Sequence, residues 1–152
     1  MRPIHSVRDL ASRLGTPPAR LRDIGRDMKT HYVTRPLVQG KKVRQLAVPT
    51  SELKEIQRRI NRNILAKFQL PAGVYGGVPG GSPRKNAAAH AHQPCVVNMD
   101  VKEFFPHVRH YMVYRMFKHE LGFGCDVASL LRRSLLIEGD HVGRVGQQVG
   151  LA

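Results

Sequence analysis

Asp100 closes an apolar run, Val96-Val97-Asn98-Met99, and is followed by Val101-Lys102-Glu103-Phe104-Phe105-Pro106. The run is short, β-branched and preceded by Pro94, a pattern that predicts a buried strand entering from a loop. A carboxylate at the tip of a rigid strand is well placed to bind a divalent cation. Phosphoryl transfer asks little covalent chemistry of a protein; carboxylates that fix Mg²⁺ and a rigid pocket for the reacting nucleotide are the main needs. Asp100 meets the first need, and Phe105, five residues on, could supply a flat wall beside a sugar. Glu103 lies beyond the strand tip and is assigned to local capping. Other chemistries find less support. His90 and His92 would diverge on a helix, so His90 is expected to be structural and hydrogen-bonded. The glycines of residues 70–92 are not followed by Gly-Lys-Ser/Thr, which excludes a P-loop.

The elements that must position these residues can be read along the chain. Ser6 with Asp9 forms a capping box, Val7, Leu10, Ala11 and Leu14 share one face, and Gly15 ends the helix. Thr16 is expected to cap a second helix with Pro17 in its first turn and Leu21, Ile24 and Met28 as its stripe. The pair has helix-turn-helix spacing. Its second helix, however, offers chiefly Arg20, Arg22, Arg26 and Lys29, which suit phosphates better than base edges.

Alternation around Tyr32, Val33, Leu37 and Val38, then Val43, Leu46 and Val48, predicts a β-hairpin with Gln39-Gly40 as its turn. Lys41, Lys42 and Arg44 sit near that turn, where their cationic heads could reach a triphosphate. After Pro49, Leu53, Ile56, Ile60, Ile64 and Phe68 mark the buried face of a helix whose other side carries Lys54, Arg58, Arg59 and Arg62. Like charges at this spacing repel by a few tenths of a kcal/mol per pair, roughly. A solvated face and one neutralised by nucleic-acid phosphates fit that stripe equally. Residues 70–92 bend sharply at their glycines and prolines, with Ser82, Arg84 and Lys85 available to nucleic-acid phosphates and residues 86–90 forming a short helix. A helix over 107–121 with Val108, Tyr111, Met112, Met116 and Phe117 inward, and another capped near Asp126 with Val127, Leu130, Leu131 and Leu135 inward, complete the pattern. His107 and His110 are expected at the surface.

Composition agrees with a nucleic-acid partner. The 152 residues are enough for one domain with a sizeable core. The net charge of +14 is uneven: residues 1–62 carry +10, residues 63–99 carry +3 and residues 100–152 carry +1. The basic excess therefore lies in the N-terminal part of the chain, where it could meet nucleic-acid phosphates. Two distant cysteines, Cys95 and Cys125, argue against a disulfide framework or a thiolate zinc site and predict a cytoplasmic setting, with Cys95 packed in the core. No signal peptide is evident, and no stretch approaches the roughly 20 apolar residues of a membrane span.

Four ordered segments carry a family resemblance. Residues 96–108, VVNMDVKEFFPHV, resemble the first palm motif of the bacterial reverse transcriptases, the retron-type and group II intron-like families. Residues 76–90, GGVPGGSPRKNAAAH, resemble the family's glycine-rich segment. Residues 40–49, GKKVRQLAVP, resemble its basic fingers hairpin, and residues 51–65, SELKEIQRRINRNIL, the helix after it. The resemblance covers roughly residues 5 to 137. It implies an α+β fold of right-hand type: a helical N-terminus over 1–30, fingers over 31–95, a partial palm with an incomplete antiparallel sheet over 96–137 packed by the last two helices, and a divergent glycine-rich tail over 138–152.

The activity so implied is RNA-directed DNA synthesis by two-metal catalysis, on an RNA template and DNA primer with deoxynucleoside triphosphates, a structured noncoding RNA and a role in antiviral defence among the family's associations. Asp100 would bind Mg²⁺ with the backbone carbonyl of Val101. Phe105 would exclude a ribose 2′-hydroxyl, and Arg44, with Lys42 beside it, would steady the triphosphate. Where the family has a Lys pair before the turn, this chain has Leu37 and Val38. The family's Pro-Gln-Gly segment and its Tyr-x-Asp-Asp hairpin are absent, and no two of the six aspartates are adjacent. The expectation is a truncated, inactive reverse transcriptase; the alternative is a non-catalytic basic RNA/DNA-binding module.

Overall fold

Ser6 opens the first helix as its capping box predicts. In the computed structural model, which describes residues 2–40, 42–102 and 104–136 and gives backbone alone for Gln39, Lys42, Arg44, Phe105 and Pro106, helix α1 runs Val7–Leu14. The Ser6 hydroxyl accepts from the Asp9 amide at 3.1 Å, and Gly15 ends the helix in the left-handed region with φ 55°. Helix α2, Pro18–Arg26, starts one residue later than expected. Pro17 takes the cap position, while the Thr16 hydroxyl donates to the Leu14 carbonyl at 3.2 Å and so serves the end of α1. A 3-10 turn, Met28–His31, leads into the hairpin.

Strands β1, Tyr32–Gln39, and β2, Lys42–Pro49, pair antiparallel from Tyr32↔Pro49 to Gln39↔Lys42. That register keeps Gln39 in β1, where a turn residue was expected, and leaves Gly40, with φ 60°, as the described residue of the turn. Lys41 itself lies outside the described residues. Val33, Leu37, Val38 and Val43 remain exposed, so the hairpin stands largely away from the core.

Helix α3, Ser51–Asn63, is capped by Thr50, whose hydroxyl accepts from the Leu53 amide. Its Leu53, Ile56 and Ile60, with Ile64 beyond, are buried as predicted. Gln57 joins three elements by donating to the Tyr32 hydroxyl at 3.0 Å and to the Ser134 carbonyl at 2.9 Å. Helix α4 spans Pro83–Ala89. The single helix expected over 107–121 is instead α5, Phe104–His107, an extended break at Arg109, α6, His110–Arg115, and one π turn, Met116–Glu120. Helix α7, Cys125–Leu135, closes the described chain.

The core is helical. Ile4 and the apolar stripes of α1, α2 and α3 enclose Phe117, Phe123, Val127 and Leu131 from the π turn, the loop after it and α7. Phe117 and Phe123 stack with ring centroids 5.8 Å apart. The Gly124 amide donates to the Ile4 carbonyl at 2.8 Å, which pins the start of α7 to the N-terminal segment. Among the described residues α7 packs against the N-terminal helices. Tyr111, Met112 and Met116, expected inside, are exposed, while Val113 and Tyr114 rest against the core.

The mixed helix and strand content expected from the sequence is observed, but the strand expected at 96–99 is not. Among the described residues the sheet consists of β1 and β2, and residues 95–101 have no regular structure. Val97 is 74% exposed and Met99 86%. Apolar, β-branched character favours a strand only where a neighbouring strand supplies hydrogen-bond partners, and no described segment pairs with this one. Cys95, expected in the core, is exposed for the same reason.

Candidate functional site

The predicted site residues fall into three groups by the elements that carry them, the first of them spread over β2, the segment before α5 and α5 itself. Asp100 and Val101 lie on the exposed irregular segment, directly before α5. Glu103 lies outside the described residues. Arg44 and Lys42 belong to β2 close to its turn, with Arg44 opposite Leu37 and Lys42 opposite Gln39. Phe105 lies in the first turn of α5.

The second group is the outer face of α3. Lys54, Arg58 and Arg62 recur every four residues and are all exposed, which keeps three cations in a row about two helical turns long. Arg62 donates to the Asn63 side chain at 3.3 Å. Arg59 is different. It ion-pairs with Glu55 at 2.9 Å and donates to the Leu14 and Gly15 carbonyls, so it is committed to the fold. Sequence spacing placed it with the solvent-facing cations; the one local signal that sets it apart is Glu55 four residues earlier, while the Leu14 and Gly15 carbonyls are remote in sequence. The Arg59 guanidinium, with Arg58 and Arg62 nearby, holds the Glu55 carboxyl below its usual range. Glu52 is held low in the same sense by a bidentate bond from Arg20, at 2.6 and 2.5 Å, which ties α2 to α3.

The third group is the glycine-rich segment. Ser82 caps α4 by accepting from the Lys85 amide at 3.2 Å, and the Lys85 ammonium donates to the Gly80 carbonyl at 2.6 Å. Gly81 has to be glycine: a Cβ there would meet the Tyr75 carbonyl oxygen at 2.2 Å. Two predicted phosphate contacts are therefore engaged in shaping their own loop. Arg84 is exposed on α4. His90, expected to be a hydrogen-bonded structural residue, is exposed at the C-terminal end of α4, which buries none of its residues.

A pair of Mg²⁺ ions needs several oxygen ligands each. Among the described residues no three His, Cys, Asp or Glu side chains converge, and Asp100 stands alone on its segment. The described residues therefore do not by themselves fit a two-metal centre. What they present is a row of cations on α3 and a basic hairpin, an arrangement suited to phosphate oxygens and largely independent of base sequence. No described helix is long and apolar enough to cross a membrane.

Two features escaped the sequence reading. Tyr32 lies against the core, and burial raises its phenol above the ordinary value against the opposing Gln57 bond. Cys125, at the first position of α7, is bonded by Lys118 and Tyr114, which lower its thiol pKa. Their separations of seven and eleven residues span a π turn and a loop, and so give no periodic signal.

No protein-family model matches the chain. Curated proteins do. The retron Se72 reverse transcriptase of Salmonella heidelberg is 31% identical over 131 residues, 85% of this chain and 35% of that protein. Two reverse transcriptases of Myxococcus xanthus, those of retrons Mx65 and Mx162, are 34% and 36% identical over 81% and 69% of this chain. The chain spans about a third or less of the length of these relatives, 35%, 30% and 23% respectively.

Proposed function

This chain is a relative of the retron-type reverse transcriptases, and from that kinship we propose that it serves RNA-templated DNA synthesis. The observation that carries the reading is the match to the retron Se72 reverse transcriptase over 85% of the chain. In this reading the exposed face of α3, with Arg58 and Arg62, holds the backbone of an RNA template and DNA primer. Arg84, on α4, adds a further phosphate contact. The β-hairpin brings Arg44 and Lys42 toward the phosphates of an incoming deoxynucleoside triphosphate, and Phe105 stands beside its sugar. Asp100 contributes one carboxylate, with the Val101 carbonyl, toward Mg²⁺, which when bound offsets charge on the reacting phosphates. The remaining ligands are not among the described residues, and no catalytic step is assigned to this chain alone. A structured noncoding RNA is a further partner of this reading.

Binding of a fluorescent primer–template to the chain tests the phosphate-holding role. Roughly six phosphate contacts predict an affinity loss on the order of a thousandfold between low and moderate salt. Arg58→Gln and Arg62→Gln should each flatten the slope by about one, with equal losses on unrelated sequences. A shallow slope that neither substitution changes would remove the interface. The non-catalytic alternative shares this surface and is favoured by the isolation of Asp100; the two part at primer extension. Mg²⁺-dependent extension lost on Asp100→Asn supports the polymerase reading, and extension that survives the change refutes the role of Asp100.

A further inference from the structure

The β-hairpin meets the helical core at its base. Among its described residues Tyr32, the first of β1, is the one that packs against the core. The His31 carbonyl accepts from the Thr50 amide at 2.8 Å and closes the base below that pair. From Tyr32 to the pairing of Gln39 with Lys42 the strands run seven residues, a length of about 24 Å at roughly 3.4 Å per residue. Val33, Leu37, Val38 and Val43 are exposed along it. Such an arm takes its direction from its base. A rotation of roughly 10° there carries positions 42 and 44 through about 4 Å, more than the whole length of a hydrogen bond to a phosphate oxygen.

Gln57 orients that base. It is half-buried in the middle of α3, and its Nε2 donates to the Tyr32 hydroxyl at 3.0 Å and to the Ser134 carbonyl at 2.9 Å. A side-chain amide has two N–H donors, so both are used. The second bond makes the first directional. Ser134 lies in the last turn of α7, whose carbonyls lack partners within the helix; the amide is thereby held between α3 and α7 and presents its other N–H to Tyr32 at one place. Packing of the Tyr32 ring is non-directional, and no other described side chain of the hairpin hydrogen-bonds the helices. The angle of the arm therefore depends on this one bond.

We infer that Gln57 is the positioning residue of the hairpin: through the Tyr32 hydroxyl it aims the strand that carries Lys42 and Arg44 at the phosphates of the incoming nucleotide. The nucleotide as target rests on the polymerase reading, whereas the aiming bond belongs to the fold, so the two are tested apart.

Spin labels at Val38→Cys on β1 and Arg22→Cys on α2, both exposed positions, report the aim by pulsed electron spin resonance in a full chain whose native thiols are removed by Cys95→Ser and Cys125→Ser. The distance distribution should be narrow with Tyr32 and Gln57 in place. Tyr32→Phe, which keeps the packed ring, and Gln57→Glu, isosteric but without the amide donors, should both widen it at temperatures where each remains folded. A merely structural role would lower the melting temperature and leave the distribution narrow, and that result in Tyr32→Phe overturns the assignment. Titration with dATP in the presence of Mg²⁺ tests the target. An arm that holds its aim for only part of the time binds more weakly by that fraction, so Tyr32→Phe should weaken dATP by roughly three- to tenfold, the equivalent of one hydrogen bond, with primer–template affinity and its salt slope unchanged. A widened distribution with unchanged dATP affinity also overturns the role. Absence of dATP binding in the wild type refutes the polymerase reading of the hairpin, and with it the target, while a widened distribution in Tyr32→Phe still upholds Gln57 as the residue that aims the arm.

Discussion

Arg59 crosses from the middle of α3 to the end of α1, where its Nη1 donates to the carbonyl oxygens of Leu14 at 2.9 Å and Gly15 at 3.1 Å. The last carbonyls of a helix have no partner within it, and a cation there also opposes the negative end of the helix dipole. One side chain thus closes α1 and fastens it to α3, with Glu55 holding the guanidinium in place at 2.9 Å. Arg58, one residue earlier, is exposed and borders Glu55 only through space.

Arg59→Met should therefore lower stability by about 1.5–3 kcal/mol, the range for a lost hydrogen bond to a charged group. Arg58→Met should stay within about 0.5 kcal/mol, as surface changes usually do. Urea unfolding of the two variants checks the contrast. Equal losses would mean that the carbonyl bonds contribute nothing beyond general charge.

Gly124 predicts a second difference, between backbone and side-chain crowding. A Cβ at Gly124 would lie 2.4 Å from the His5 carbonyl oxygen and 3.2 Å from its Cα, both backbone atoms. Relief would require opening the Gly124–Ile4 hydrogen bond, at 2.8 Å, that seats α7. At Gly25 the obstruction is the Leu130 Cδ1, at 2.4 Å, which a rotamer change can move. Gly124→Ala should cost about 1–3 kcal/mol or more, as for overpacked cores, and Gly25→Ala less. Thermal unfolding with the reverse order would show that α7 adjusts as a rigid body.

The helices that build the core were legible because their signals are local. Val7, Leu10 and Leu14, then Leu53, Ile56 and Ile60, then Val127, Leu130 and Leu131 each repeat at helical spacing and each are buried. The failures lie where the deciding partner is remote or the period changes. Residues 96–99 have the composition of a strand, yet composition does not say what a strand pairs with. The chain breaks at the extended Arg109 before α6 begins, so the face expected to run from Val108 through Tyr111, Met112 and Met116 turns outward, and Val113 and Tyr114 join the expected Phe117 against the core. Within the candidate site, Arg58 and Arg62 were readable as exposed cations. Lys85 was not readable as a loop-forming residue, because the carbonyl it bonds is placed by the turn at Gly80, whereas Ser82 before Pro83 carried a local helix-cap signal that the phosphate assignment passed over.

Acid should loosen the junction of α2 and α3. The bidentate Arg20 bond holds the Glu52 carboxyl below its ordinary value of 4.5. A depressed carboxyl in the folded state contributes stability that is present above the unfolded value and is lost as pH falls through the folded one. The contribution is small, since both side chains are more than 40% exposed and solvent screens them. Stability should accordingly fall as pH drops below about 4.5, and the fall should be shallower in Arg20→Met. Urea midpoints from pH 6 to pH 3 decide it: parallel profiles in the two proteins would mean that the pair does not titrate with folding.

Cys125 offers a chemical readout of the packing around α7. Both cysteines are exposed, so access alone predicts similar alkylation rates. They differ in surroundings. The Lys118 ammonium bonds the Cys125 sulfur, Tyr114 adds a hydroxyl, and the thiol is the first residue of a helix, where the dipole favours a thiolate. The thiolate is the nucleophile, and its greater fraction near neutral pH outweighs the partial loss of intrinsic reactivity that accompanies a lower pKa. Iodoacetamide at pH 7 should modify Cys125 several-fold faster than Cys95, measured by mass spectrometry of the digested protein, and Lys118→Met should remove most of that advantage. Because Lys118 lies in the π turn, loss of the advantage in Lys118→Met with unchanged unfolding would also show that the turn sets the ammonium beside the sulfur. A Cys125 rate no faster than that of Cys95 would mean that Lys118 points to solvent.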